Sequence, residues 1–298
     1  MIEVEPLSFV VITRDRRAEL GNCLASIYRQ EWPTADLVVV DNGSSDGTAA
    51  FVRAKFPAVR LIESTTNLGV SVARNLAIGA VAGEVCVFLD DDAEFEGTTA
   101  GGRIADYFRN RPRLGLVAFT ILSGASGAEE YAAIPRADKK ATLADYPCAY
   151  FPAGGFAVRR AAFLEAGRFW DTIMYSCEEL DLSYRLLDIG FDLHRSGAVR
   201  VCHWAVPKAR PPGQYLYNNA RNRPLVAIRN LPWMNVATTT VAWWAYLAWV
   251  GLRTRQFLPL LRGVRDCLLA VPAALGCRRQ VGRKTLKEVK ARGGRLWW

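Results

Sequence analysis

Over the first two-thirds of the chain, short apolar runs alternate with stretches of helical spacing. Leu7–Ile12, Leu37–Val40, Val59–Ile62 and Val85–Leu89 are short, mostly apolar and rich in β-branched residues. Such runs predict strands covered on both faces. Between them lie Arg16–Arg29, with Leu20, Leu24 and Ile27 on one helical stripe, then Thr48–Lys55 and Val70–Val81. Strand and helix in alternation predict an α/β fold around a parallel sheet. From Leu114 the pattern is more mixed. Strands are expected at 114–121 and 149–158, with a long surface excursion over 123–147. A helix is expected over Glu178–Asp188, stopped by Gly190. Two short strands, 191–194 and 198–203, end at His203. Tyr215–Arg229 has helical character, although Pro224 should end or kink it. No internal repeat is present.

In an open α/β sheet, ligands bind outside the carboxyl ends of the strands. The polar clusters fall at that edge: Thr13 and Arg14 after the first strand, Asp41 after the second, Asn67 after the third, and Asp90, Asp91 and Asp92 after the fourth.

Composition sharpens this picture in two places. Of 298 residues, 51% are hydrophobic, enough apolar surface to exclude a disordered chain. The net charge of +9 is unevenly spread: residues 1–199 carry 20 Lys/Arg and 27 acids, and residues 200–298 carry 18 Lys/Arg and two acids. A basic tail implies an anionic partner, a membrane face or nucleic acid. The seven cysteines are scattered without a Cys-x-x-Cys pair, which argues against a disulfide framework and for a reducing cytosol. Met1–Pro6 holds two acids and no basic run, so no secretory leader is expected.

Three successive carboxylates repel one another unless a cation lies among them. Mg²⁺ or Mn²⁺, shared with a diphosphate, is the natural partner. Asp41, directly after a buried strand, can accept from a nucleobase imide, although Asp-Asn-Gly also simply makes turns. Arg74 lies in a helix that starts near Gly69; a helix N-terminus and an arginine both favour phosphate. Glu178 and Glu179 start the later helix and either complement its dipole or supply a general base. Asp181 and Arg185, four residues apart, form a structural pair on the same face. His203 is one of two histidines and can complete a metal site.

These pieces in this order resemble an inverting glycosyltransferase of family 2, with the GT-A fold, over about residues 7–230. The resemblance rests on Val38-Val-Val-Asp-Asn-Gly-Ser-Ser-Asp-Gly-Thr48, Asn67-x-Gly-x5-Arg-Asn75 and Phe88-Leu-Asp-Asp-Asp92. It implies a Rossmann-like, mostly parallel sheet with helices on both faces. It also implies Asp92 as metal ligand with Asp90 or His203, and a nucleotide-sugar donor, UDP- or dTDP-linked, near Thr13, Arg14, Asp41, Asn67, Arg74, Asp90 and Asp91. Gly167–Arg185 resembles the rhamnosyl- and galactofuranosyltransferase subgroup, with Trp170 and Glu179 replacing that subgroup's usual Asp residues. Glu179 is then the base, with Glu178 and Asp181 beside it. His203, Arg210 and Arg221 resemble the region that faces metal and diphosphate. The acceptor implied is a glycan or polyprenyl-linked glycan.

The domain expectation is a catalytic unit over 1–230, with donor binding to about 112, and an apolar, basic helical tail over 231–298. Residues 230–252 are uncharged, long enough to span a bilayer, but Trp233, Trp243, Trp244, Trp249 and the flanking arginines suit an interface. The tail is therefore expected in the plane of an anionic cytoplasmic leaflet, peripheral at the inner membrane face. A packed helical subdomain or homo-oligomer interface is the alternative. A nucleotidyltransferase is disfavoured because Thr13-Arg-Asp-Arg-Arg17 lacks glycine, and a nucleic-acid binder because the first two-thirds is acidic.

Overall fold

The computed structural model describes residues 6–109, 111–140, 142–204 and 213–296. Arg210, expected beside the donor phosphates, lies outside the described residues. Four strands open the fold: β1 (Leu7–Thr13), β2 (Thr34–Asn42), β3 (Arg60–Ser64) and β4 (Val85–Asp90). They are parallel, in the order β3-β2-β1-β4, and joined by α1 (Arg17–Tyr28), α2 (Thr48–Lys55) and α3 (Val70–Ala80). The continuous apolar run of β2 has a simple cause. Val38 and Val40 face one cluster with Ala73, Ala77 and Ile78 of α3, while Val39 faces another with Leu20 and Leu24 of α1. Side chains alternate across a strand, so both faces are dry.

The rest of the sheet departs from the expected mostly parallel form. It is built from β5 (Ala93–Phe95), β6 (Leu114–Ser123), β7 (Tyr146–Pro147), β8 (Gly155–Arg159) and β9 (Asp192–His203), with α4 (Ala100–Arg109), α5 (Arg160–Glu165) and α6 (Glu178–Asp188) between. The order continues from β4 as β8-β6-β9-β5. β8 runs antiparallel to both β4 and β6, and β5 and β7 run antiparallel to β9. An apolar run records burial on two faces and not strand direction, so the pattern alone did not distinguish them. The two strands expected at 191–194 and 198–203 are one strand, irregular in register opposite Ala118 and Thr120. The strand expected at 149–158 begins only at Gly155.

The tail is helical: α7 (Gln214–Asn230), α8 (Trp233–Thr254), α9 (Phe257–Gly276) and α10 (Arg283–Ala291). α7 continues through Pro224. Proline leaves the carbonyl four residues back without its amide partner, here Ala220; the Trp244 indole N–H donates to that oxygen at 2.9 Å. Val236, Cys267, Val281, Val289 and Leu296 join the same apolar cluster as Phe88 and Leu182. Among the described residues, no helix is long and apolar enough to cross a membrane. α8 and α9 do expose large apolar side chains, among them Trp249, Leu252, Leu261 and Leu269.

Asp181 ties α6 to the end of α7. Its carboxylate receives Arg185 Nη2 at 2.5 Å, Arg229 Nη1 at 2.6 Å and Asn230 Nδ2 at 2.7 Å, and the residue is fully buried. With its oxygens occupied in this way, Asp181 is a structural anchor and not one of the catalytic carboxylates. Asp181→Asn leaves two guanidinium groups without their counter-charge in a dry site. Urea denaturation is expected to show a loss of about 3–5 kcal/mol, as for one partner of a buried ion pair. A loss under about 1 kcal/mol would show that the pairing does not hold the helices.

Candidate active site

The loops after β1 and β2 are fastened together first. Asp46 accepts the Arg17 amide at 3.1 Å and the Thr48 amide at 3.0 Å, so one carboxylate starts both α1 and α2. Asp15 accepts the Ser45 amide at 2.6 Å, while Ser44 Oγ accepts the Asp15 amide at 2.9 Å. Buried Asp41 closes a tight turn by accepting the Ser44 amide at 2.8 Å. Thr13 is buried at the end of β1. Arg14 is exposed and pairs with its neighbour Asp15. Asn67 is also spent locally, bonded to Asn42 and to the Gly69 amide. It shapes the loop before α3.

The sequence reading missed Arg16. Its Nη1 lies 2.7 Å from Asp91 Oδ1 and 2.6 Å from Asp92 Oδ2. Its only signal was position, two residues past a strand end. Opposite it, the short β5–β9 pairing sets Ala93 against His203, and the Trp204 amide donates to the Asp92 carbonyl at 2.7 Å. This register brings His203 Nε2 to 3.3 Å from Asp92 Oδ1, while Nδ1 bonds Glu130 at 2.7 Å. The hydrogen bond to Asp92 is the main cause that raises the imidazole to about 9, against its burial. Burial pushes Asp91 up to about 7, with Arg16 opposing. Burial would also raise Asp92, but the bond from His203 and the charge of Arg16 outweigh it and hold it low.

Among the described residues, no three His, Cys, Asp or Glu side chains are grouped to hold a metal ion. Asp92 and His203 nonetheless bring an oxygen and a nitrogen close enough to share one. A divalent ion with ligands about 2.1 Å away accepts two such adjacent donors and takes the rest from diphosphate and water. The donor set therefore fits Mn²⁺ or Mg²⁺ as a two-ligand site.

Arg74 does not reach toward a phosphate. Its guanidinium is buried against the rings of Phe156 and Phe169, 5.5 Å from each centroid. One nitrogen lies 3.2 Å from Asp90 Oδ1 and the other 3.3 Å from Glu178 Oε1. The amide that starts α3, on Val70, is likewise taken, donating to the Met174 carbonyl at 2.7 Å. Gly69 permits this approach: with φ of +80°, a Cβ there would lie 2.9 Å from Met174 backbone atoms.

The Asp171–Cys177 loop presents α6. Ser176 and Cys177 hold positive φ, 71° and 75°. That costly backbone is pinned by buried Asn222, whose Nδ2 donates to the carbonyls of Tyr175 and Ser176 at 2.9 and 3.0 Å. Arg221 donates to the Thr172 carbonyl at 3.0 Å. Arg221, expected on the donor, thus also ties α7 to the loop before α6. Glu178 is buried, and burial, then the charge of Glu179, raises it to about 8. Half-buried Glu179 is raised too, first by burial, with the charge of Arg74 opposing. Glu179 lines a cavity of about 730 Å³ between α6, α7, α8 and the chain end.

The glycosyl transferase family 2 model matches residues 8–167, more than half of the chain. The glycosyltransferase AglE of Haloferax volcanii is 26% identical over 74% of this chain and 73% of its own. The succinoglycan biosynthesis protein ExoO of Rhizobium meliloti is 38% identical over 30% of this chain, a match spanning 26% of its own length. GalNAc-T7, solved with UDP, GalNAc and Mn²⁺, superposes with a TM-score of 0.62 at 14% identity, covering 80% of this chain and 50% of that one. The mannosyltransferase PcManGT of Pyrobaculum calidifontis, solved with GDP-Man and Mn²⁺, gives 0.58 at 21%, covering 99% and 77%. The sheet is GT-A-like, with these carboxylates at its edge. The chain belongs to glycosyl transferase family 2.

The raised Glu178 has a consequence for stability. Its unfolded value is near 4.5 and its folded value about 8. Between these, the folded state keeps a proton that the unfolded chain has lost, so stability falls as pH rises through that window. Glu178→Gln is expected to flatten the fall in Tm between pH 5 and pH 8. An unchanged pH slope would show that Glu178 ionises normally.

Proposed function

We propose that the chain is an inverting, metal-dependent transferase. It moves a sugar from a UDP- or dTDP-linked donor to a hydroxyl of a glycan or polyprenyl-linked acceptor. One observation carries the reading: Glu179 lines the 730 Å³ cavity and follows Glu178, which bonds the Arg74 that also holds Asp90. Solved neighbours that hold UDP or GDP-Man with Mn²⁺ support the donor class. The resemblance of Gly167–Arg185 supports a place near the rhamnosyl- and galactofuranosyltransferases.

Asp41 accepts from the base, and Asp90 and Asp91 face the ribose and diphosphate side. The acceptor hydroxyl gives its proton to Glu179 as its oxygen bonds the anomeric carbon. The bond to the diphosphate breaks on the opposite face, its electron pair leaves with the nucleoside diphosphate, and the configuration inverts. Glu178, raised to about 8, adds no second full negative charge beside Glu179. Asp92 and His203, the latter as neutral imidazole, would hold Mn²⁺ or Mg²⁺, which supplies positive charge to the departing diphosphate when bound. Arg16 adds a fixed cation at Asp91 and Asp92.

A screen of nucleotide sugars by thermal shift with Mn²⁺ identifies the donor, and product is then read by mass spectrometry. Asp92→Ala is expected to abolish transfer and metal-dependent donor binding. Glu179→Gln keeps donor binding and loses about 10²–10⁴ in turnover. Full activity in the first variant would remove the metal assignment, and normal turnover in the second would move the base to Glu178.

A further inference from the structure

The excursion between β6 and β7 has a defined shape where it leaves β6. The chain reverses tightly there: the Gly127 amide donates to the Ser123 carbonyl at 2.7 Å, with Gly127 at a φ of +70°, and the Ser123 amide donates to the Ala128 carbonyl at 2.8 Å. The returning segment pairs back onto β6. Glu129 bridges to Leu122, and the Glu130 amide donates to the Ile121 carbonyl at 2.9 Å. Successive side chains point apart along an extended segment, and these two carboxylates go to different partners on β9. Glu129 Oε1 receives Arg195 Nη2 at 2.7 Å. Arg195 is fully buried, and its Nη1 donates to the Ala144 carbonyl at 3.1 Å, so one guanidinium ties both ends of the excursion to β9. A buried guanidinium is costly without its counter-charge, which leaves Glu129 one stable place.

Glu130 is thereby carried to His203, where its Oε1 lies 2.7 Å from Nδ1. The backbone of His203 is already fixed. β5 sets it against Ala93, and the Gly124 amide, at the start of the same reversal, donates to its carbonyl at 2.9 Å. Gly124 has no room for a side chain, because a Cβ there would lie 2.5 Å from the Trp204 ring. A fixed backbone still leaves an imidazole two side-chain torsions. The bond from Nδ1–H to Glu130 removes that freedom and turns Nε2 toward Asp92 Oδ1, 3.3 Å away.

Resting on the reading of Asp92 and His203 as a two-ligand metal site, we propose that Glu130 is a positioning residue: it holds the His203 imidazole with Nε2 turned to Asp92, and the reversal over 121–130, pinned through Glu129 to Arg195, fixes Glu130 in turn. With only two protein ligands, the site depends heavily on each being in place beforehand. A ring free to turn would offer Nε2 for part of the time, and the cost of ordering it would fall on ion binding. Glu130 acts through His203 alone.

Mn²⁺ binding to the full chain tests this, read from the electron paramagnetic resonance signal of the free ion, alone and with UDP, dTDP or GDP. His203→Ala sets the loss that belongs to the ligand itself. Glu130→Ala is expected to weaken Mn²⁺ binding by about tenfold or more, with folding checked by its urea midpoint. Glu130→Gln, whose side-chain carbonyl still accepts from Nδ1–H, is expected to restore most of that loss. In the His203→Ala background, Glu130→Ala should have no further effect on Mn²⁺ binding. A residue that merely shapes the reversal would weaken binding equally in both backgrounds. The proposal is overturned if Glu130→Ala binds Mn²⁺ as tightly as the unaltered chain while His203→Ala does not, if the two losses add, or if Glu130→Gln is as weak as Glu130→Ala. If His203→Ala itself leaves Mn²⁺ binding unchanged with every nucleotide, the reading of His203 as a ligand fails, and the proposal fails with it.

Discussion

The structure depends on one buried guanidinium. Arg74 lies against two aromatic rings and spans from Asp90, at the end of β4, to Glu178, at the start of α6. Those carboxylates are 88 positions apart in the chain and belong to different halves of the site. A charge without water is tolerated only where it is paired and bonded. The donor edge and the base helix therefore have one stable mutual placement, the one in which both reach Arg74. The same joint is reinforced by backbone, through the Val70 amide on the Met174 carbonyl and the close approach at Gly69.

Charge is handled locally around this joint. The acidic edge that looks repulsive in sequence is matched by cations placed within it: Arg16 between Asp91 and Asp92, His203 against Asp92, Arg74 against Asp90. Elsewhere burial raises both Glu178 and Glu179, with Arg74 opposing. The basic tail divides along the same lines. Arg229 goes to Asp181, Arg221 to the base loop and Arg223 to the cavity, so arginines at the start of the tail are structural or line the site.

What was legible in the sequence followed chain continuity. Asp41 and Asp90–Asp92 stand at the sheet edge because each follows directly from a buried strand, and strand runs are easily seen. The helix over Glu178–Asp188 matched residue for residue because its apolar stripe and Gly190 stop are local signals. Contacts set by distant segments were not legible. Arg74 carried every sign of a phosphate ligand, yet Asp90 and Glu178 claim it. Asn222 and Arg221 hold the loop that carries the base, which no spacing rule reveals. β5 is three residues long and left no periodic trace, yet it aligns His203 with Asp92. The continuity of α7 through Pro224 was also hidden, since the indole that satisfies Ala220 lies 24 residues on.

The central claim is that Arg74 couples the donor edge to the base helix, and a double-mutant cycle measures that coupling most directly. Arg74→Met, Glu178→Leu and the double variant are compared by kcat for transfer, with nucleoside diphosphate binding followed in parallel. Each single change is expected to lower kcat. The double variant should lose less than the sum, by an interaction energy of about 0.5–3 kcal/mol. Additive losses, within about 0.3–0.5 kcal/mol, would mean that the two residues act independently and would contradict the account.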